Sequence, residues 1–165
     1  MKINRMFWAI MITVCTLIAF GVVLLVSTNK DFDDMKKSVT VSADGVTQET
    51  LEIKDLSLVP GDKVEYEISL TITASATYHL TLDFSEEKDG GLKQFVNTTI
   101  KLDEKEVSSD KLSAFLSGKK MDEKLAAEEG QVLSLKIIYD MGIEVGDEAP
   151  ETYSDFDVAL TIEVD

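Results

Sequence analysis

Two hydrophobic rhythms divide the chain. From Met6 to Val26 no residue is charged, and twelve of the 21 positions are Leu, Ile, Val or Phe. As a helix this run would be about 31 Å long, close to the roughly 30 Å of a bilayer's hydrocarbon core. On the insertion scale its twelve large apolar residues sum to about −4 to −7 kcal/mol. It is read as one N-terminal transmembrane helix. After residue 37 the period changes to two. Val64, Tyr66, Ile68, Leu70 and Ile72 alternate with Lys63, Glu65, Glu67, Ser69, Thr71 and Thr73, and the alternation resumes in Tyr78, Leu80, Leu82 and Phe84. One row enters a core and the other faces water.

Further strands are expected at Val39 to Ala43, Thr50 to Leu58, Phe95 to Leu102, Val132 to Tyr139 and Phe156 to Val164, with a break of parity near Lys54 and Asp55. A continuous strand from residue 63 to 84 would be unusually long, so a corner or tight reversal is expected across Thr73 to Thr77. Pro60, Gly61 and Asp62 form a turn, because proline presets φ, glycine accepts a positive φ and aspartate bonds nearby amides. Asp89, Gly90 and Gly91 mark a second break. Between Ser109 and Gly130 the pattern shifts toward helix: Asp110 is a candidate cap, Leu112, Phe115 and Leu116 form an apolar side, Gly118 is a stop, and a second helical turn is expected at Asp122 to Glu129.

These elements predict an all-β fold, an antiparallel β-sandwich of jelly-roll or Ig-like type with short helical insertions. The expected organisation is a basic N-terminus at 1–5, a transmembrane helix (signal-anchor) at 6–26, a juxtamembrane tether at 27–37 and an extracellular β-sandwich domain at 38–165. Retention of the helix is favoured over cleavage because the apolar run is long and Leu25, Val26, Ser27 and Thr28 make a poor cleavage site. Cleavage would make the domain secreted. Lys30, Lys36 and Lys37 nearly balance Lys2 and Arg5, but a short basic N-terminus before an apolar run predicts export of the C-terminal domain.

Charge sharpens the picture. Formal net charge is −15, and setting aside Lys2 and Arg5 from the 16 basic residues leaves 14 against 31 acidic ones, or −17 after residue 29. Such a surface repels phosphate backbones and anionic head groups, which argues against nucleic-acid partners and leaves cationic partners and divalent metals open. The single cysteine, Cys15, lies in the apolar run, so the domain holds no disulfide. Val14 before it and continued apolar sequence after it argue against lipid attachment.

Candidate chemistry is sparse. His79, the only histidine, falls on the polar row of a strand between threonines, without an evident triad partner. One cysteine and one histidine exclude a zinc cluster. No phosphate-cradling glycine loop opens a helix. Asp31, Asp33 and Asp34 are spaced like the start of a calcium loop, but its glycine and distal glutamate are missing. Asp147, Glu148, Glu151, Asp155 and Asp157 could gather oxygen ligands for calcium or form a solvated charge run. Asn97, Thr98 and Thr99 spell a glycosylation sequon. No catalytic, cofactor-binding or metal residue is assigned.

The segment Leu56-Ser-Leu-Val-Pro-Gly-Asp62, the strand Val64 to Ile72 and the tyrosine-bearing strand Tyr78 to Phe84 resemble the camelysin and TasA-type exported proteins of Gram-positive bacteria. Glu129-Gly130-Gln131 before Val132 to Tyr139 is similar to that family's turn before its penultimate strand, and Tyr153 to Val164 to its closing strand. The resemblance implies a jelly-roll-like sandwich, export, and a role at the cell surface or in biofilm matrix, where strand exchange between subunits can build fibres. Camelysin has been called a protease, yet no catalytic or metal-binding motif carries onto these positions. Ala74, Ser75 and Ala76 stand where the family has an Asn-x-Gly turn.

The function expected is therefore a membrane-anchored, non-enzymatic cell-surface module acting in binding or in surface and matrix assembly. The alternatives are an accessory subunit of a membrane or envelope complex and an exported hydrolase using a carboxylate pair, whose defining separation is spatial and so invisible in sequence.

Overall fold

The computed structural model of the chain describes residues 36–43, 45–89, 91–143 and 153–165. The expected membrane helix at 6–26, Cys15, the tether before residue 36, and the carboxylates Asp31, Asp33, Asp34, Asp147, Glu148 and Glu151 lie outside them. Among the described residues no helix is long and apolar enough to cross a membrane. The described strands are β1 (Lys36–Val41), β2 (Thr47–Ser57), β3 (Lys63–Ile72), β4 (Ala76–Asp89), β5 (Val96–Leu102), β6 (Lys105–Lys111), β7 (Met121–Ala127), β8 (Val132–Met141) and β9 (Tyr153–Val164), with a 3-10 turn at Leu92–Gln94 and a short α-helix, α1 (Leu112–Leu116).

The strands form two sheets, one ordered β1-β3-β8-β5-β6 and the other β2-β9-β4-β7. The expected all-β sandwich is present because alternation holds on both inner faces. Ile68, Leu70 and Ile72 of β3, Leu133, Leu135, Ile137 and Tyr139 of β8, Tyr78, Leu80, Leu82 and Phe84 of β4, and Phe156, Val158, Leu160 and Ile162 of β9 all enter one core. Every pairing is antiparallel except one: β1 runs parallel to β3, with Lys36 opposite Glu67 and Val41 opposite Ile72. The wholly antiparallel expectation is corrected there. β1 reaches β3 by way of β2 in the other sheet, and a crossover of that kind returns the chain in its original direction.

The segment after β3 is a corner. β3 and β4 belong to different sheets, so Thr73, Ala74 and Ser75 carry the chain from one layer to the other. Thr73 secures the corner through two donations to the Val41 carbonyl, from its amide at 3.1 Å and its hydroxyl at 2.7 Å. The Tyr78 hydroxyl donates to the Ala74 carbonyl at 2.6 Å. The parity break in β2 is a bulge between Ile53 and Leu56, with Asp55 at φ 52°. The Pro60 turn also forms: Gly61 takes φ 94°, the Asp62 amide donates to the Val59 carbonyl at 2.9 Å, and the Asp62 carboxylate accepts the Val59 amide at 3.1 Å.

Two helical expectations are corrected. Residues 105–111 form β6, so the helix spans only Leu112–Leu116 and follows Lys111, without a side-chain cap from Asp110. The Asp110 carboxylate instead accepts the Lys111 amide and the Lys119 ammonium. The helix does end at Gly118, whose φ of 104° suits glycine and whose amide donates to the Phe115 carbonyl. Residues 121–127 are β7, whose alternating burial seats Met121 and Ala127 in the core while Asp122, Lys124 and Ala126 face water. Pairing with β4 outweighs the helical propensity of a Lys-Leu-Ala-Ala segment.

Candidate functional site

The core behind the two faces is stiffened by aromatic rings. Tyr139 meets Tyr66 and Phe156 edge to face at centroid distances of 5.8 and 5.6 Å. Phe84 packs against Phe156 at 6.4 Å and against Phe115 at 5.0 Å. Burial pushes the Tyr66 hydroxyl upward in pKa and the fully buried Tyr139 hydroxyl far upward. The described aromatic side chains are all buried or half-buried. The described surface therefore offers no fully exposed ring on which a sugar or base could stack.

The outer face of the first sheet carries a charged ladder. Lys136 on β8 lies 3.6 Å from Glu65 on β3 and contacts Glu104 in the β5–β6 turn. The bond to Glu104 raises the Lys136 pKa and, reciprocally, lowers that of Glu104. Ser134 donates through its hydroxyl to Glu67 at 2.9 Å, and Lys36 on β1 lies 3.6 Å from the same carboxylate. These contacts tie β1, β3, β8 and the β5–β6 turn across the sheet. Asp103 and Glu104 of that turn both have positive φ, 47° and 66°. The backbone is held there by two bonds to Ser134: the Asp103 amide donates to its carbonyl at 2.9 Å, and its amide donates to the Asp103 carboxylate at 2.8 Å.

The outer face of the second sheet carries several short side chains. In register across it lie Gln48, Thr161 and Thr81, then Thr50, Ala159 and Asp83, then Glu52, Asp157 and Ser85. Its border is polar. His79 of β4 contacts the Asp122 carboxylate on β7, and Lys120 lies 2.5 Å from Asp83. His79 thus has a carboxylate partner that the sequence did not reveal.

The other candidates separate. Asp155 accepts the Asp55 amide at the β2 bulge, at 2.8 Å, so it serves the backbone. Asp157 keeps one carboxylate oxygen buried and without a protein partner. Among the described residues no three His, Cys, Asp or Glu side chains gather as metal ligands. The sequon is built into the sandwich: Asn97 lies in β5 between β6 and β8, Thr98 is fully buried, and the Thr99 and Ser109 hydroxyls meet at 3.3 Å. Sequence reasoning missed the Lys136 ladder, because Glu65 and Glu67 lie far from it in the chain. It also missed the strained turn, which lacks glycine.

No family model matches the chain, and no curated protein matches it. Among solved structures it is similar to a family 35 carbohydrate-binding module from an environmental isolate, with TM-score 0.35 and 11% identity over 64% of this chain and 72% of that one. It is also similar to PliG of Aeromonas hydrophila, a periplasmic inhibitor of g-type lysozyme, with TM-score 0.34 and 9% identity over 78% and 97%. A β-glucosidase from Paenibacillus barengoltzii gives TM-score 0.32 and 10% identity over 74% of this chain and 11% of the enzyme. All three scores lie below 0.5 and carry no argument about function. The class defined by the chain's own geometry is an all-β, two-sheet sandwich.

Proposed function

We propose that this chain is a membrane-anchored, non-enzymatic surface module of jelly-roll type, akin to the camelysin and TasA-type proteins it resembles, acting in binding or in surface and matrix assembly. The observation that supports the reading is the cluster of short side chains on the outer face of the second sheet, where Thr161 and Thr81 lie in register beside Thr50, Ala159 and Asp83. The short side chains of Thr161, Thr81, Thr50 and Ala159 let a partner approach closely and offer repeated donors and acceptors, with the carboxylates of Asp83, Glu52 and Asp157 alongside them. The uncharged run at Met6 to Val26 supports the anchoring part.

The test uses the full chain on intact cells. External protease should remove the sandwich while cytoplasmic markers survive. Thr81→Lys with Thr161→Lys, which places two long cations on the face, should abolish self-association or retention of a cell-surface component. A wild-type chain that stays an inert monomer, or a double variant that behaves like wild type, overturns the reading. Replacing Met6 to Val26 with an unrelated membrane span should leave the function intact. Loss on that replacement would favour an accessory subunit docked through its helix.

A further inference from the structure

Among the described residues, three side chains in the core carry hydroxyls that no protein group satisfies. Thr98, Tyr139 and Ser154 are each 0% exposed, and the Thr98 Oγ1, Tyr139 Oη and Ser154 Oγ atoms have no hydrogen-bond partner among the described residues. The fold brings them into one region. Thr98 on β5 is paired in register with Tyr139 on β8, and both side chains enter the core, which for directly opposed residues means Cβ atoms about 5 Å apart. Ser154 lies on the opposing sheet, two residues from Phe156, whose ring meets that of Tyr139 at 5.6 Å. All three sit toward the end of the sandwich where β3, β5 and β9 begin and β8 ends.

Independent orphaned hydroxyls would be expensive. Each would weaken folding by roughly a factor of ten, because the group gives up water and gains nothing. Three such losses multiply to about a thousandfold in a domain whose whole margin is modest. Tyr78 shows what the fold does where a protein acceptor is within reach, since its equally buried hydroxyl donates to the Ala74 carbonyl. A hydroxyl both donates and accepts, so three of them can supply the two to four partners a buried water requires. Globular domains hold about one such water per 27 residues.

We propose that Thr98, Tyr139 and Ser154 form a buried hydration site, in which ordered water between the two sheets is bound by the three hydroxyls. The site is part of the fold and does not depend on the surface role. It makes this end of the core a polar, shared unit. Removing any one hydroxyl releases the water and leaves the other two without a partner.

The test is a mutant cycle on the full chain in detergent, followed by urea unfolding at a far-ultraviolet signal for β-structure. Thr98→Val, Tyr139→Phe and Ser154→Ala should each lower the folding equilibrium constant at least about fivefold. The double variant Thr98→Val/Tyr139→Phe should lose no more than the worse single one, because the water departs with the first hydroxyl. If Tyr139→Phe does not fold, Thr98→Val and Ser154→Ala complete the same cycle. Single variants that fold as well as wild type or better, or losses that multiply independently, overturn the site. Cross-relaxation from a long-lived water to the Thr98 protons should be seen in wild type and vanish in Ser154→Ala, and its absence from wild type also overturns the site.

Discussion

Asp103 and Glu104 are neighbours in one turn with the same unusual backbone, yet replacing each by glycine should move stability in opposite directions. Both have positive φ, as the central residues of a type I′ hairpin turn must. The left-handed conformation costs an ordinary side chain about 1–2 kcal/mol. Glycine removes that cost but loosens the unfolded chain by about 0.5–1 kcal/mol. At Glu104 little else is lost, because its contact with Lys136 is exposed and Lys136 keeps Glu65 at 3.6 Å. Glu104→Gly also creates the Asp-Gly pair preferred in this turn, and should stabilise the domain by about 0.5–1 kcal/mol. Asp103→Gly gains the same relief but loses the carboxylate that accepts the Ser134 amide at 2.8 Å. A bond to a charged acceptor contributes about 1.5–3 kcal/mol, which leaves a net loss of about 1 kcal/mol. Thermal unfolding should separate the variants by several degrees, about 3–6 °C per kcal/mol for a domain between the small and the large size classes. If Glu104→Gly destabilises, or Asp103→Gly stabilises equally, the turn is not held as described.

Three further outcomes follow from the geometry. Tyr78→Phe should cost about 1–2 kcal/mol in urea unfolding, because it removes the bond to Ala74 and leaves that carbonyl unpaired at the corner. Gly61→Ala should cost about 1–2 kcal/mol through its φ of 94°, since an added Cβ would meet Ile143 only at an ordinary 3.5 Å. Alkaline titration should expose Tyr139: burial, then the charge of an ionised Tyr66, raise its pKa above the ordinary 10.0. The folded state therefore holds the proton more tightly than the unfolded state. That contribution is complete below about pH 10 and is lost as pH rises from there through the higher folded value. Tyr139→Phe should have a shallower alkaline loss than wild type, with the remainder traceable to Tyr66, and an unchanged pH profile would refute the assignment.

Legibility in the sequence followed position in the sandwich. β3, β4, β8 and β9 each pair on both sides and keep one wet face, so their apolar residues fall at every second position. The corner after β3, the bulge at Asp55 and the turn at Gly61 left local marks: small residues, a parity break and a Pro-Gly pair. β6 and β7 did not, because both are edge strands. β6 has only Val107 as an apolar residue, and β7 alternates in burial without alternating in hydrophobicity. Their pairing partners decide them, and a local window holds no record of a partner. The parallel placement of β1 was hidden for the same reason. The outer-face ladder depends on β3 meeting β8, which brings Glu65 and Lys136 together only after folding.

The distribution of charge sharpens the kind of partner this surface can take. The lysines of the described surface are largely engaged with nearby carboxylates: Lys37 with Glu49, Lys93 with Glu86, Lys119 with Asp110, Lys120 with Asp83 and Lys124 with Asp165, beside Lys136 in its ladder. Most are exposed pairs and contribute little to stability. Their effect is to pin cationic side chains against the sheets, so that the acidic excess after residue 29 dominates what an approaching molecule meets. Around Thr81, Thr161 and Thr50, the carboxylates Glu52, Asp83 and Asp122 are themselves engaged, with Lys54, Lys120 and His79. The field of that acidic excess repels a polyanion before contact and attracts a cationic molecule at long range, an effect that falls as salt is raised.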